Sequence, residues 1–307
     1  MNIRESSYGY WSSTHTFLWV ACGAAIGIGN LVRLPYLMGE HGGLIFLGVY
    51  LLALLVVGMP LLAAEWMLGR WMRDDLVNGF RRLAETARSR RAWALIGWLA
   101  LIGAVLILSY YSVIAGWSMA YGIRATAGIF SGMSAEAANT LFLNLAQDPE
   151  RSLSWHTLFM VLTCVVVAHG FREGIESAAM RAVPTACLLI ILLCGYALQA
   201  GDAEAALRFV LTPDLGKFTW RSLFEALQQA FFTLGLGMGA MMALGSYLPA
   251  QAPVKRMALV VLLVDTLFAL VAGIAVFAMI FSAGLQPVPG LALLFQVLPR
   301  SVPEGIA

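Results

Sequence analysis

The chain has 307 residues, 60% of them hydrophobic and only 12% charged, with a formal net charge of +2. A water-soluble domain is about 25% charged, so this sequence lacks the polar surface to face water on all sides. Its few charges are spread over loops and point to no nucleic-acid partner, while charge-free runs at 44–64, 92–123 and 182–201 each reach the roughly 20 residues a helix needs to cross a bilayer. Continuous apolar runs of that length exclude a β-barrel, whose strands are ~10-residue alternating segments.

The N-terminus, MNIRESSYGYWSS, is polar, and the apolar segment after it outruns a signal sequence, so no cleavable leader is expected. Seven spans follow, at about 15–38, 44–69, 92–124, 153–170, 180–200, 223–248 and 257–284. The first contains CGAAIGIGNLVRLPY, with glycines at 23, 27 and 29, Asn30, Arg33 and Pro35. After the second come Arg70, Arg73, Arg81, Arg82, Arg88, Arg90 and Arg91; the stretch 75–90 reads either as an amphipathic surface helix or as a topogenic arginine cluster. Arg172 and Arg181 lie between spans four and five, and Lys255 and Arg256 between six and seven. Loops 125–152 and 201–222 balance or nearly balance their bases with acids, so the positive-inside bias puts the N-terminus in the cytoplasm of a multi-pass cell-membrane protein. Cys22, Cys164, Cys187 and Cys194 fall in apolar segments, which points to free thiols. His15, His41, His156 and His169 have no ligand spacing.

Span six, within QQAFFTLGLGMGAMMALGSY, carries glycines at 235, 237 and 239. Glycine weakens a helix by about 1 kcal/mol relative to alanine, so this span, like the first, is expected to unwind in mid-membrane. Irregular backbone at that depth must be buried in protein or line a cavity. Paired interruptions at matching places in two halves point to a transporter's substrate site. Close helix packing through small residues is the alternative; it explains the glycines but not Asn30 and Arg33.

GAAIGIGNLVRLPYLMGEHGG with PLLAAEWMLGR, SYYSVIAGW, and QAFFTLGLGMGAMMALGSY resemble the first two, third and sixth helices of the neurotransmitter:sodium symporter family. The similarity runs from about Trp11 to Pro299. It implies an all-α polytopic membrane protein of the leucine-transporter type, built from inverted five-helix repeats. Residues 1–307 would form one transmembrane domain: helices 1–5 at about 15–200, helices 6–7 at about 223–284, and an external loop at 285–307. Family members have eleven or twelve helices, so the chain is expected to be truncated at its C-terminal end and not to transport by itself.

The resemblance also implies ligands. A first sodium ion would take the Ala25 carbonyl, Asn30, Thr233 and Asp265; a second, with an incomplete set, would take the Gly23 and Ile26 carbonyls. The substrate site would comprise Gly27, Gly29, Ile107, Tyr111, Phe232, Gly235 and Met238. Gly27 stands where monoamine carriers have Asp, which argues for a substrate bearing its own carboxylate. Arg33 would be the external gate, its usual acid partner lying on a later helix, and Glu65 matches a glutamate near the site. The internal-gate arginine position is Tyr8, with Arg4 the nearest base. Where relatives bind chloride, Tyr50, Gln229 and Thr233 match, but the helix 7 serine is Ala269, and Asp265 is expected to supply the negative charge instead. The expected activity is sodium-coupled symport of a small neutral, hydrophobic amino acid, without an organic cofactor. A non-transporting or truncated homologue acting as sensor or fragment is the alternative. An enzyme is disfavoured, since no HExxH, Ser–His pair or carboxylate dyad lies at catalytic spacing.

Overall fold

A computed structural model describes residues 9–89 and 91–302, and all regular structure among them is helical. Tyr8, which stands at the internal-gate arginine position, and Arg4, the nearest base, lie outside the described residues, as do Arg90 and the end of the external loop.

The first span is two half-helices, α1 (Thr14–Ala25) and α2 (Leu34–Glu40), joined by an extended Ile26 and a π turn at Gly29–Arg33. Ser13 caps α1 by accepting from the Thr16 N–H. Pro35 offers no N–H to the Leu31 carbonyl, and the turn before it widens so that Leu34 N–H bonds to Gly29 O. The two halves are bent by 63°. The second span pairs α3 (Leu44–Ala53) and α4 (Met59–Met72) through a π turn at Leu54–Gly58, again just before a proline, Pro60.

Beyond it, α5 (Leu76–Thr86) realises the amphipathic alternative for 75–90: Gly79, Phe80 and Ala84 are buried while Arg81 and Arg82 are exposed. Asp75 caps it, and the Asn78 N–H bonded to that carboxylate holds it below the usual aspartate range. Next come α6 (Ala94–Thr126), α7 (Ala135–Ala146), α8 (Pro149–Ala168), a π turn at Phe171–Glu176, α9 (Ser177–Ala200) and α10 (Ala203–Leu211). The chain then forms α11 (Trp220–Thr233), α12 (Ala240–Gly245) and α13 (Val254–Ser282).

One expectation needs correction. Residues 125–152 and 201–222 are not simple loops: α7 and α10 lie within them, each started by a side-chain cap from Ser134 and Asp202. The described residues hold five helices long and apolar enough to span a membrane, and a sixth in the bent α1–α2 pair. The span at 223–248 is divided, where its three glycines place the interruption, at 234–239 into α11 of 14 residues and α12 of 6, too short singly to cross.

The centre belongs to α13. It packs against α1, α2, α4, α9 and α10, and 56% of its most apolar stretch is buried, against none for α8. Outward faces of α6 and α9 expose Leu99, Leu106, Leu188 and Leu192, as helices bathed in lipid do.

Candidate functional site

Both interruptions free backbone groups, and each finds a different substitute. In a continuous helix the Gly27 N–H would bond to Gly23 O. Here it donates to Asn30 Oδ1 at 2.9 Å. The Asn30 N–H, due to the Ile26 carbonyl, bonds to Gly27 O at 3.1 Å instead. The break therefore releases the Gly23 and Ile26 carbonyls from their regular partners, the two assigned above to a second sodium ion. Gly23 itself lies inside α1, so the unwinding begins at Ile26 and not at the first glycine.

In the second interruption Gly235, Gly237 and Gly239 all have positive φ (58°, 82° and 78°). That left-handed region is open to glycine at no steric cost. The Gly237 N–H is taken by Glu65 Oε1 of α4 at 2.7 Å, so this buried glutamate fastens the break to a neighbouring helix.

A buried polar group links the first break to α11 and α13. Asn30 Nδ2 donates to Asp265 Oδ1 at 2.8 Å, and the Thr233 hydroxyl donates to Asp265 Oδ2 at 2.8 Å. Asp265 is fully buried, and its own carbonyl also accepts from Asn30 Nδ2 at 3.3 Å. Behind it lie the buried Gln229, whose amide atoms find no hydrogen-bond partner among the described residues, and the buried Tyr50, next to Thr233 and Thr266. Ala269 is buried one turn along α13 from Asp265. Thr266 went unnoticed in the sequence because a threonine in an apolar helix carries no pattern of its own.

The two breaks face one cavity of about 780 Å³. Its wall holds all seven residues expected at the substrate site, together with Gly23, Ala25, Ile26, Asn30, Thr233 and Arg33. Asp265, Tyr50 and Gln229 are not on this wall; they form the buried layer behind it. A Cβ built on Gly27 would lie 3.7 Å from the Tyr111 hydroxyl, so that hydroxyl faces the first break across open space. A Cβ on Gly29 would come within 2.8 Å of the Phe232 ring, which leans on the bare backbone. Sequence reasoning missed Tyr110, Ile114, Leu236 and Leu291, which also line the space and are ordinary apolar residues by pattern.

Arg33 is the one charged side chain among those lining the cavity. It finds its acid within this chain: Nη2 lies 3.4 Å from Glu225 Oε2 on α11, and its guanidinium sits 5.1 Å from the Phe232 ring centroid. Arg221 Nε is 3.9 Å from the other Glu225 oxygen. Nothing in the sequence distinguishes Glu225 from an ordinary solvated acid on a helix.

The profile of the "Sodium:neurotransmitter symporter family" matches residues 8–131 and 139–289. An "Uncharacterized sodium-dependent transporter YhdH" of Bacillus subtilis (strain 168) is 38% identical over 297 residues, covering 97% of this chain and 65% of its own length. An "Uncharacterized sodium-dependent transporter" of Haemophilus influenzae is 30% identical, covering 97% of this chain and 67% of its own length. The chain thus spans about two thirds of the length of these relatives. Among solved structures, MhsT in complex with L-phenylalanine superposes with a TM-score of 0.84 at 36% identity, over 97% of this chain and 68% of that one.

Proposed function

Because the chain belongs to the sodium:neurotransmitter symporter family, we propose that it binds a neutral, hydrophobic amino acid together with sodium for coupled symport, with its N-terminus in the cytoplasm. The observation that carries this reading is the cavity between two helix breaks, with freed carbonyls and a buried Asn30–Asp265–Thr233 group on one side and apolar side chains on the other. Sodium is a hard cation that prefers oxygen ligands. The Ala25 carbonyl, Asn30, Thr233 and Asp265 supply them for one ion, and the released Gly23 and Ile26 carbonyls contribute to a second. The residues after the first break present N–H groups at the start of a helical segment, where an anion is favoured. Gly27 and Gly29 let the substrate carboxylate approach them, and the Tyr111 hydroxyl faces the same place. Ile107, Phe232, Gly235 and Met238 receive the substrate side chain. The L-phenylalanine in the MhsT structure supports this substrate class.

Asp265 takes the place of chloride. One fixed carboxylate about 4 Å from sodium contributes about 4 kcal/mol at an effective dielectric near 20, comparable to a bound anion. The experiment is binding of labelled L-leucine or L-phenylalanine to the purified chain in nanodiscs. Saturable binding is expected only with sodium, unchanged when gluconate replaces chloride. Asp265→Asn with Ala269→Ser should make binding require chloride. Binding indifferent to sodium would overturn the coupling, and wild-type binding lost in gluconate would overturn the part given to Asp265.

A further inference from the structure

The residue that ends α4, Arg73, has a left-handed backbone (φ 47°, ψ 39°), and its N–H closes onto Gly69 O at 3.0 Å. Glycine usually occupies this position after a helix, because a Cβ there costs roughly 1–2 kcal/mol. An arginine here accepts backbone strain, so its side chain is the place to look for a compensating role.

That side chain is buried, although the residue stands beyond the apolar stretch of the helix. Nη1 donates to Ser246 O at 3.1 Å and Nη2 to Leu248 O at 2.5 Å, two carbonyls that follow α12. The guanidinium also lies 4.7 Å from the centre of the Tyr10 ring. One turn earlier Arg70 grips Ala250 O at 3.0 Å. Neighbouring acids are engaged elsewhere: Asp74 pairs with Arg82, and Asp75 caps α5. Tyr10 leads into Trp11, which donates from Nε1 to Leu244 O at 3.1 Å and from its backbone to Tyr247 O at 3.3 Å. Phe171 stacks on the Tyr247 ring at 4.1 Å between centres and meets the Trp11 ring at a tilt, 4.2 Å between centres. On this side of the molecule the start of α1 and the end of α12 are thus held together by carbonyl bonds and rings.

We propose that Arg73 is a latch on the N-terminal side: a positioning residue that clips the Tyr10–Trp11 segment to the end of α12 and keeps the route from the cavity to that side closed. The planar guanidinium reaches two carbonyls and one ring at once, which an ammonium cannot do. Its partners are uncharged, so the latch responds weakly to salt. In a broken-helix transporter, access to one side opens when one bundle rocks against the other; here α1 and α12 must part, and Arg73 sits across that seam. The inference rests on the transporter reading above.

The test uses Thr16→Cys, a buried reporter on α1, in a chain whose four native cysteines are replaced by alanine. A water-soluble maleimide labels it in nanodiscs, in potassium buffer with no amino acid present. A failure here is therefore separate from a failure of sodium-dependent binding. Arg73→Gly keeps the left-handed turn and removes only the side chain. Losing its charged hydrogen bonds should speed labelling about tenfold or more, with Arg73→Lys in between. Tyr10→Leu alone should speed labelling by a few-fold, and should add little in the Arg73→Gly background. Labelling of a folded Arg73→Gly chain at the wild-type rate would overturn the latch, as would full additivity of the two substitutions.

Discussion

The two interruptions look alike in sequence, each a short run with three glycines, yet they use glycine for opposite reasons. None of Gly23, Gly27 and Gly29 has positive φ; they provide closeness and space. Gly23 lies against Val183 and Gly29 against Phe232, while Gly27 faces the Tyr111 hydroxyl. Gly235, Gly237 and Gly239 provide conformation, and at Gly237 there is open space around the missing Cβ. Their hydrogen bonding differs as well. The first break satisfies itself within three residues through Asn30, whereas the second borrows Glu65 from another helix. One break is thus shaped for what lies in front of it, the other for the turn it makes.

Substitutions can separate the two. The largest effect is expected from Gly27→Asp, which places a carboxylate where a substrate carboxylate is to approach. Amino-acid binding should fall by more than about 100-fold, since like charges in a confined site cost several kcal/mol. Survival of binding would mean that the substrate lies the other way round.

Next in size is a pair of changes to the groups that satisfy the breaks. Asn30→Ala removes a proposed oxygen ligand and frees the Gly27 N–H, and should raise the half-saturating sodium concentration about tenfold, a loss of ~1.4 kcal/mol. Glu65→Ala leaves the Gly237 N–H without its partner and should lower the melting temperature, at a cost of about 1–3 kcal/mol, with a smaller change in sodium affinity. Equal effects of the two on sodium affinity would erase the distinction drawn between the breaks.

The smallest and sharpest test sets Gly29→Ala against Gly237→Ala. At Gly29 a methyl meets the Phe232 ring at 2.8 Å, so amino-acid affinity should drop by a few-fold as the ring is displaced. At Gly237 the methyl meets nothing within 4 Å but must adopt φ 82°, and stability should fall by roughly 1–2 kcal/mol while affinity changes little. Calorimetry and binding measured on both variants decide whether the roles divide this way.

Much of this was legible in the chain itself, for identifiable reasons. Helices that cross hydrocarbon must be long and continuously apolar whether they face lipid or the bundle centre, so 92–124 was placed within two residues of α6 and 257–284 within three of α13. The breaks were legible because glycine and proline are rare punctuation in an apolar run. The start of the fifth span was not: its π turn at Phe171–Glu176 has the charged residues of a loop, yet it continues directly into α9. The helices α7 and α10 were hidden because short amphipathic pieces lying on a bundle have no membrane-length signal. Arg73 was counted only as one of seven loop arginines, since a left-handed backbone and a buried guanidinium leave no trace in composition.

Composition and apolar run length determined by themselves that this chain crosses a membrane, and the two glycine-rich interruptions marked where its backbone opens, which in hydrocarbon must be buried in protein or line a cavity. Only the tertiary structure decided which groups answer the opened backbone. Asn30 meets Asp265 across 235 positions of sequence, Glu65 meets Gly237 across 172, and Arg33 meets Glu225 across 192. Such pairings depend on how helices cross and rotate against one another. That is set by the packing of whole apolar faces around α13, and it leaves no periodic mark at the polar residues themselves.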